Sequence, residues 1–443
     1  MKIAIRMTLL PWMLALVVGG LGGCDDETLD EIVDEFYEDM DYSYEVIWPT
    51  QNNSACPAWG RGQTISISES MQLPPRCVFE QVTININRSD VDFDCNQAVF
   101  NGITERVRHE YGDSYRPAEN APWGTAFRIR NAETATNPLQ NITIRNCQIT
   151  NYIHGVDVAL NLSAETRAGL RAGTVNEDTL RAKAPANIRV LNTHIINTHG
   201  SGVFIYPYVT DFQFLNSHIK GAGGPGLYLD AGSRASHIEN SVFEGNGFSS
   251  YSTETMTRSA RRSDDAKREG IAIDSSTQHL IRNNFFQDNG DGGIYLYKNC
   301  WENAETRPNE VPRTEGANLN RIEGNRFQNE TTGVWLAERA DRDLSGFNCG
   351  DPLIYEEDGK KYYRDQAREN VVADNRFENM RTGVRVMDDA NTVRGNVFVQ
   401  TEHYDIDVGS RTRELINDPV SGTVVDGNTL SKPNGIQIGN CSQ

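Results

Sequence analysis

The sequence predicts an all-β solenoid, a right-handed parallel β-helix that is preceded by a short helical segment. Two short motifs recur along most of the 443 residues, and their spacing is close to that of one solenoid coil. The chain is also rich in turn residues, with 38 glycines, and has a mean hydropathy of -0.55. Because each coil contacts only its neighbours, the number of domains cannot be estimated from the length of such a chain. We expect one β-helical body over residues 49–443.

The first motif is a glycine followed by the pattern apolar-x-apolar-y. It occurs at Gly155, Gly202, Gly226, Gly270, Gly293, Gly333 and Gly383. The shortest intervals, Gly202 to Gly226 and Gly270 to Gly293, are 24 and 23 residues. This is the period of a coil with three short strands, whereas a propeller blade needs about 40 residues. The alternation points the apolar residues inward and the x and y residues outward, so stacked coils form an x column and a y column.

The second motif, Asn-x-Phe or a close variant, lies between the strands of the first. It begins at Asn284, Asn325, Asn375, Asn396 and Asn428. Stacked asparagines can satisfy backbone groups at a coil corner through ladders of side-chain amides. Together with Asp92-Phe93-Asp94-Cys95-Asn96 near the first coils, these repeats resemble the pectate-lyase-like right-handed β-helix superfamily over roughly residues 75–435. The resemblance implies the fold but not one reaction, because that superfamily includes lyases, hydrolases, epimerases, esterases and non-enzymatic proteins.

The first 23 residues have the pattern of a secretory signal peptide. Lys2 and Arg6 precede an apolar run that is too short to span a membrane. The end of the run, Leu21-Gly22-Gly23-Cys24, resembles a bacterial lipobox, which implies a lipid on Cys24. The alternative is an ordinary signal peptide cut near Gly23. We expect an exported lipoprotein on the periplasmic or cell-surface side, with residues 24–48 as anchor, acidic linker and short helix.

Composition and cysteines limit the partners and the compartment. A net charge of -19 argues against nucleic acid, and we expect a monomer that contacts the membrane only through its lipid. Cys56 with Cys77, and Cys300 with Cys349, are candidate disulfides in an oxidising compartment. Residues 95 and 147 are expected to be buried thiols in neighbouring coils. No cysteine spacing is typical of a metal site.

The x column contains an aromatic strip that suits a polymer of sugars. Phe204, Tyr228, Tyr295 and Trp335 share this column with Arg385. Sugar rings stack on aromatic faces, and an elongated strip matches a polysaccharide. The alternative is that inserted loops, expected at about 162–185, 248–269, 299–318 and 340–368, bury the strip as a small second core.

The y column brings ionisable residues beside this strip. Asp230 and Asp274 occupy y positions, and Tyr297, Lys298 and Arg339 lie at or next to others. Neighbouring carboxylates bind a cation or raise one pKa, and both effects serve catalysis. The alternative is that both aspartates are turn residues at coil corners.

The resulting hypothesis is a lyase that cleaves an anionic polysaccharide by β-elimination. Asp230 and Asp274 would hold Ca²⁺, Lys298 would act as base, and Arg339 or Tyr297 would neutralise the uronate or act as acid. The run Arg258, Arg261, Arg262, Lys267 and Arg268 could meet the polymer's charge. Two alternatives stay open: a glycoside hydrolase that uses Asp230 and Asp274, and a non-catalytic glycan-binding or structural envelope lipoprotein.

Overall fold

The computed structural model describes residues 53–102, 124–252, 257–261, 267–304 and 310–439. These residues form a right-handed parallel β-helix, as the repeats predicted, with three strands in each coil. The predicted signal peptide, Cys24 and the acidic segment up to residue 48 lie outside the described residues.

Each of the three strands of a coil stacks on its counterpart in the next coil, so the body has three parallel faces. Face A is an 11-stranded sheet of Met71–Gln72, Asp92–Asp94, Gln140–Arg145, Ala186–Leu191, Thr210–Leu215, His237–Glu239, Leu280–Arg282, Arg321–Glu323, Val371–Ala373, Thr392–Arg394 and Val424–Asp426. Face B contains Val78–Glu80, Val99–Asn101, Gln148–Thr150, His194–Ile196, His218–Lys220, Val242–Glu244, Phe285–Gln287 and Arg326–Gln328.

Face C contains the strands of the glycine motif and carries both outward columns. Its strands are Thr64–Ile67, Thr83–Ile86, Thr125–Ala132, His154–Asn161, Val203–Ile205, Leu227–Leu229, Glu269–Asp274, Gly292–Tyr297, Thr332–Leu336 and Ile436–Ile438. Two long strands, Arg376–Val386 and Val397–Val408, run through face B into face C and join them as one 20-stranded sheet.

The two sequence motifs fit together inside the coil. Phe286, Phe327 and Phe377 of face B stack inward with ring centroids 4.8 Å apart. A Cβ at Gly293 would lie 2.5 Å from the Phe327 ring, so the motif glycine leaves the space that this ring fills. Close packing of this kind tolerates no extra atom without displacement. The glycine of one motif and the phenylalanine of the other are therefore a packing pair.

Asparagine ladders close the corners between faces A and B. The backbone N–H of Asn284 donates to Oδ1 of Asn325 at 2.9 Å, and that of Asn325 donates to Oδ1 of Asn375 at 2.8 Å. The amide of Asn325 also donates to the Ile281 carbonyl at 2.9 Å. The residue before each of these asparagines has a positive φ, for example 55° at Asn283. Buried corner groups thus gain the partners that they need.

Three disulfides connect cysteines within the described residues. Cys56–Cys77 and Cys300–Cys349 are bonded as predicted. The expectation of two buried thiols was wrong, because Cys95 and Cys147 occupy the same corner in adjacent coils and form a third disulfide. Disulfides are typical of exported proteins, so the chain belongs to an oxidising compartment outside the cytoplasm.

The insertions carry the remaining secondary structure. Two helices, Ala164–Arg171 and Glu177–Arg181, occupy the first insertion, which the sequence analysis treated as a loop. Ser163 caps the first of them by accepting a hydrogen bond from the Thr166 N–H at 3.1 Å. The second and fourth insertions each hold an antiparallel hairpin, Ser249–Ser252 with Thr257–Ala260 and Leu353–Glu357 with Lys360–Tyr363. A short helix, Arg411–Leu415, precedes the last coil.

Candidate functional site

The x column exists as a physical column on face C. Strand register pairs Phe204 with Tyr228, Tyr295 with Trp335, and Trp335 with Arg385. Phe204 and Tyr228 have ring centroids 5.5 Å apart, and Tyr295 meets Trp335 edge to face at 5.3 Å. The predicted residues therefore form one strip along consecutive coils.

The strip is partly covered. This result lies between the two expectations, an exposed sugar-binding strip and a strip buried under the insertions. Phe204, Tyr228, Trp335 and Arg385 are half-buried, whereas Tyr295 is buried. The Tyr295 hydroxyl donates to the Asp291 carbonyl at 2.7 Å. The Arg385 guanidinium lies 4.3 Å from the Trp335 ring centroid and forms an ion pair with Asp407 at 3.2 Å. Three of the four aromatic side chains, Phe204, Tyr228 and Trp335, thus remain partly exposed.

Asp230 and Asp274 are brought together, but a guanidinium lies beside both of them. Arg313, from the third insertion, forms an ion pair with Asp230 at 2.9 Å and approaches Asp274 at 3.9 Å. Asp274 is fully buried and accepts hydrogen bonds from the Tyr228 hydroxyl at 2.8 Å and from the Asn299 N–H at 3.0 Å. A cation site needs open carboxylate oxygens. The pair does not fit the expected Ca²⁺, because Arg313 supplies the positive charge.

Tyr297 and Arg339 join the same buried cluster, while Lys298 does not. The Arg339 guanidinium lies 4.6 Å from the Tyr297 ring centroid. It forms an ion pair with Glu302 at 3.1 Å. Lys298 instead forms an ion pair with Asp351 of the fourth insertion. Because its Nζ is engaged by Asp351, Lys298 is not placed to act as the predicted base beside the two aspartates.

A second group of carboxylates, which the sequence analysis missed, adjoins the strip and includes two residues that precede motif glycines. Arg268 contacts Glu269 at 3.1 Å and donates a hydrogen bond to the Tyr297 hydroxyl at 2.8 Å. The Tyr297 hydroxyl lies 3.4 Å from Glu269 Oε1. Asp291 and Glu338 lie near enough for their charges to interact with that of Glu269. We call Arg268, Glu269, Asp291, Tyr297 and Glu338 the carboxylate cluster.

The electrostatics of the carboxylate cluster favour protonated groups near neutral pH. Burial, with the charges of Glu269 and Glu338, raises the pKa of Asp291 to about 7, against the lowering effect of Arg268 and Arg342. Burial also raises the pKa of Glu269. Burial raises the pKa of Tyr297, so its hydroxyl keeps its proton. Asp291 is half-buried and can meet a ligand. A carboxyl group with a pKa near 7 is suited to general acid catalysis.

A sequence signal for this cluster lies before the motif glycines rather than after them. Glu269 precedes Gly270, and Asp291 precedes the pair Gly292-Gly293. Register places Glu269 beside Gly292 on adjacent strands. Acidic residues at corresponding corners of two consecutive coils could have identified the pair.

The insertions pack against one another along the y side of the strip. Arg181 of the first insertion forms an ion pair with Glu315 of the third at 3.4 Å. Arg171 lies 5.2 Å from the Trp301 ring centroid. Asp365 of the fourth insertion accepts a hydrogen bond from the Arg339 N–H at 2.8 Å. The insertions therefore border the y side of the strip, which agrees with the positions expected from the sequence.

Family comparisons agree with the fold. The family described as right handed beta helix region matches residues 123–261. The family described as periplasmic copper-binding protein (NosD) matches residues 248–349 and 313–443. Comparison with curated proteins gives no match.

Several solved structures are similar at low identity. The periplasmic alginate epimerase AlgG has 10% identity and a TM-score of 0.47, with 84% of this chain and 78% of that chain covered. The catalytic unit of the α-1,3-glucanase from Streptomyces thermodiastaticus strain HF3-3 has 10% identity and a TM-score of 0.41, with 86% of this chain covered. Our chain spans 64% of that glucanase chain. An alginate lyase from Paenibacillus sp. str. FPU-7 has 11% identity and a TM-score of 0.33, with 83% and 99% covered.

Two features are absent from the described residues. No helix among them is long and apolar enough to cross a membrane. Within the same residues, no group of three or more His, Cys, Asp or Glu side chains is placed to hold a metal ion.

Proposed function

Because this chain is a right-handed parallel β-helix protein with an outward aromatic strip, we propose that it binds a polysaccharide along face C and cleaves it at the carboxylate cluster. The observation that carries the proposal is the position of Asp291. This half-buried carboxyl group has a pKa of about 7 and precedes the strand that carries Tyr295. Aromatic rings would hold the sugars, and the acid would act on the bond between them.

Hydrolysis is the reaction that the geometry supports best. Asp291 would give its proton to the glycosidic oxygen as the carbon–oxygen bond breaks. Glu338 would take a proton from the attacking water; its side chain is 10% exposed, against 2% for Glu269. Glu338 also forms an ion pair with Arg342 at 3.0 Å, which holds its carboxylate in place. An acid and a base in different environments are the minimum for an inverting glycosidase.

β-Elimination on a uronate polymer is the second candidate, and one contact favours it. The Arg268 guanidinium donates to the Tyr297 hydroxyl at 2.8 Å, which sets a cation beside a phenol. A lyase uses such a cation to neutralise the uronate carboxylate and needs an acid at the leaving oxygen. In this mechanism Arg268 and Tyr297 take part in the reaction and Lys298 does not, because the Lys298 Nζ is engaged by Asp351.

The test is a panel of neutral and uronate polysaccharides incubated with the purified protein. Reducing ends report any cleavage, and ultraviolet absorbance reports the unsaturated product of elimination. We expect new reducing ends without ultraviolet absorbance, and a loss of at least 100-fold in rate in Asp291→Asn. Ultraviolet absorbance in step with the reducing ends would identify the lyase instead.

Two controls separate chemistry from folding. Asp288→Asn changes an exposed carboxylate three residues away and should leave the rate unchanged. Trp335→Ala should weaken binding, and Trp335→Tyr should restore most of it because a ring remains. Binding without cleavage in every polymer would mean a non-catalytic glycan-binding protein. Unchanged turnover in Asp291→Asn would remove the carboxylate cluster from the mechanism.

A further inference from the structure

Arg128 on face C forms no ion pair within the described residues, unlike Arg130 and Arg385 on the same face. It is half-buried, and its Nε is buried without a hydrogen-bond partner among the described residues. A Cβ at Gly124 would lie 3.2 Å from its Nη2, so the guanidinium lies close to the backbone of this glycine. A buried donor without a partner costs free energy unless something binds it.

Three other arginines on or beside face C are paired. Arg130 forms an ion pair with Asp157, Arg268 with Glu269, and Arg385 with Asp407. The nearest carboxylate by register is that of Asp157, and Arg130 engages it through two nitrogens, one at 3.1 Å. The Asp157 carboxylate is therefore already engaged by Arg130.

Arg128 also belongs to the x column. Register pairs it with Asp157, and Asp157 with Phe204, which begins the aromatic strip. The His154 ring stacks on Phe204 with centroids 5.6 Å apart. Burial lowers the pKa of His154, so this ring is neutral near pH 7. Of the two arginines on the strand Thr125–Ala132, Arg130 is paired with Asp157 and Arg128 has no ion pair in the described part of the chain.

We infer that Arg128 binds an anionic group of the polysaccharide, a carboxylate or a sulfate ester, at the N-terminal end of the strip. The inference rests on the proposed function, because it adds a contact to the same glycan. A guanidinium offers two parallel N–H donors to such a group, and the half-buried Arg128 forms no ion pair within the described residues. The substrate class is therefore an acidic polysaccharide.

The distance from Arg128 to the carboxylate cluster sets a length requirement. Five strand spacings separate Arg128 from Tyr295 along the column, which is about 24 Å at about 4.8 Å for each spacing. An extended pyranose chain advances by about one strand spacing for each sugar. Short oligosaccharides bound at the cluster would not reach Arg128, so its contribution belongs to longer chains.

The test measures binding of the full chain to matched polymers. A uronate polymer is compared with its carboxyl-reduced form, and a sulfated polymer with its desulfated form. Arg128→Gln should bind the acidic polymer that the wild type prefers about tenfold more weakly, with no change for the neutral form. Arg128→Lys should recover part of the loss, since the charge remains without the planar donors. Arg189→Gln is the matched control, because Arg189 is a half-buried strand arginine on face A whose Nε is also buried without a partner.

Each outcome decides between the two proposals. A loss confined to the carboxylated or to the sulfated polymer supports the site and identifies the anion. Equal binding of wild type and Arg128→Gln to an acidic polymer overturns the Arg128 site and leaves the proposed function standing. An equal loss in Arg189→Gln also overturns it, as the effect would then be general charge. If the wild type binds no polymer at all, the proposed function fails and Arg128 fails with it.

Discussion

The raised pKa of Asp291 should appear in the pH dependence of stability, whatever the substrate is. Its ordinary pKa is 3.8, and in the folded protein it is about 7. Between these values the folded chain holds a proton that the unfolded chain has lost. The stability contributed by this group is therefore greatest below about pH 4 and falls as pH rises to about 7. Asp291→Asn cannot titrate and should lose this slope.

The size of the effect follows from the shift. One unit of pKa corresponds to about 1.4 kcal/mol. Between pH 5 and pH 7 the full effect would be about 3 kcal/mol, and partial exposure of Asp291 reduces it to about 2 kcal/mol. From pH 5 to pH 8 the wild type should lose about 2 kcal/mol of stability relative to Asp291→Asn. Burial and the charges of Glu269 and Glu338 oppose ionisation of the Asp291 carboxyl group, whereas Arg268 and Arg342 favour it.

The assay is urea unfolding at pH 5, 6, 7 and 8, with midpoint and slope compared for both proteins. Asp288→Asn, on the exposed corner, should track the wild type at every pH. A difference between wild type and Asp291→Asn that stays constant within about 0.5 kcal/mol over this range would refute the raised pKa. The general acid of the proposed mechanism would then be lost as well.

Three further predictions concern the ladder, the anchor and the insertion. Asn325→Ala removes four ladder hydrogen bonds and should cost roughly 3 kcal/mol of unfolding free energy in urea, whereas the outward Gln328→Ala should cost under about 0.5 kcal/mol; similar losses would contradict the ladder account. Export in a bacterial host should label the protein with fatty acid, and Cys24→Ser should abolish the label; equal labelling would exclude the anchor. Arg313→Met should lower thermal stability strongly at pH 8 and less at pH 5, because burial raises the pKa of its partner Asp230, which can take up a proton in acid; an equal loss at both values would contradict this.

The repeat predicted the fold and the x column because both depend on local alternation and on the coil period. Phe204, Tyr228, Tyr295 and Trp335 share a column since each holds the same place after its glycine. The column is a property of the strand, and the strand pattern is visible in the sequence. What binds to the column is a separate question that the pattern alone does not address.

The positions of the charged site residues were not predicted correctly, because they depend on segments that lie outside the strands. Lys298 follows the last residue of its strand, so alternation no longer sets its direction and it turns toward Asp351. Arg313 reaches Asp230 and Asp274 from an insertion whose path no repeat describes.

The asparagine ladders give the solenoid a direction of assembly. In each recorded step, the backbone N–H of one coil donates to the amide oxygen of the coil that follows it in the chain: Asn284 to Asn325, Asn325 to Asn375, and Asn375 to Asn396. When the chain emerges N-terminus first through a translocation pore, the corner N–H groups of the last folded coil have no acceptor until the next coil has emerged. Folding during export should therefore lag behind the emerging chain by one coil.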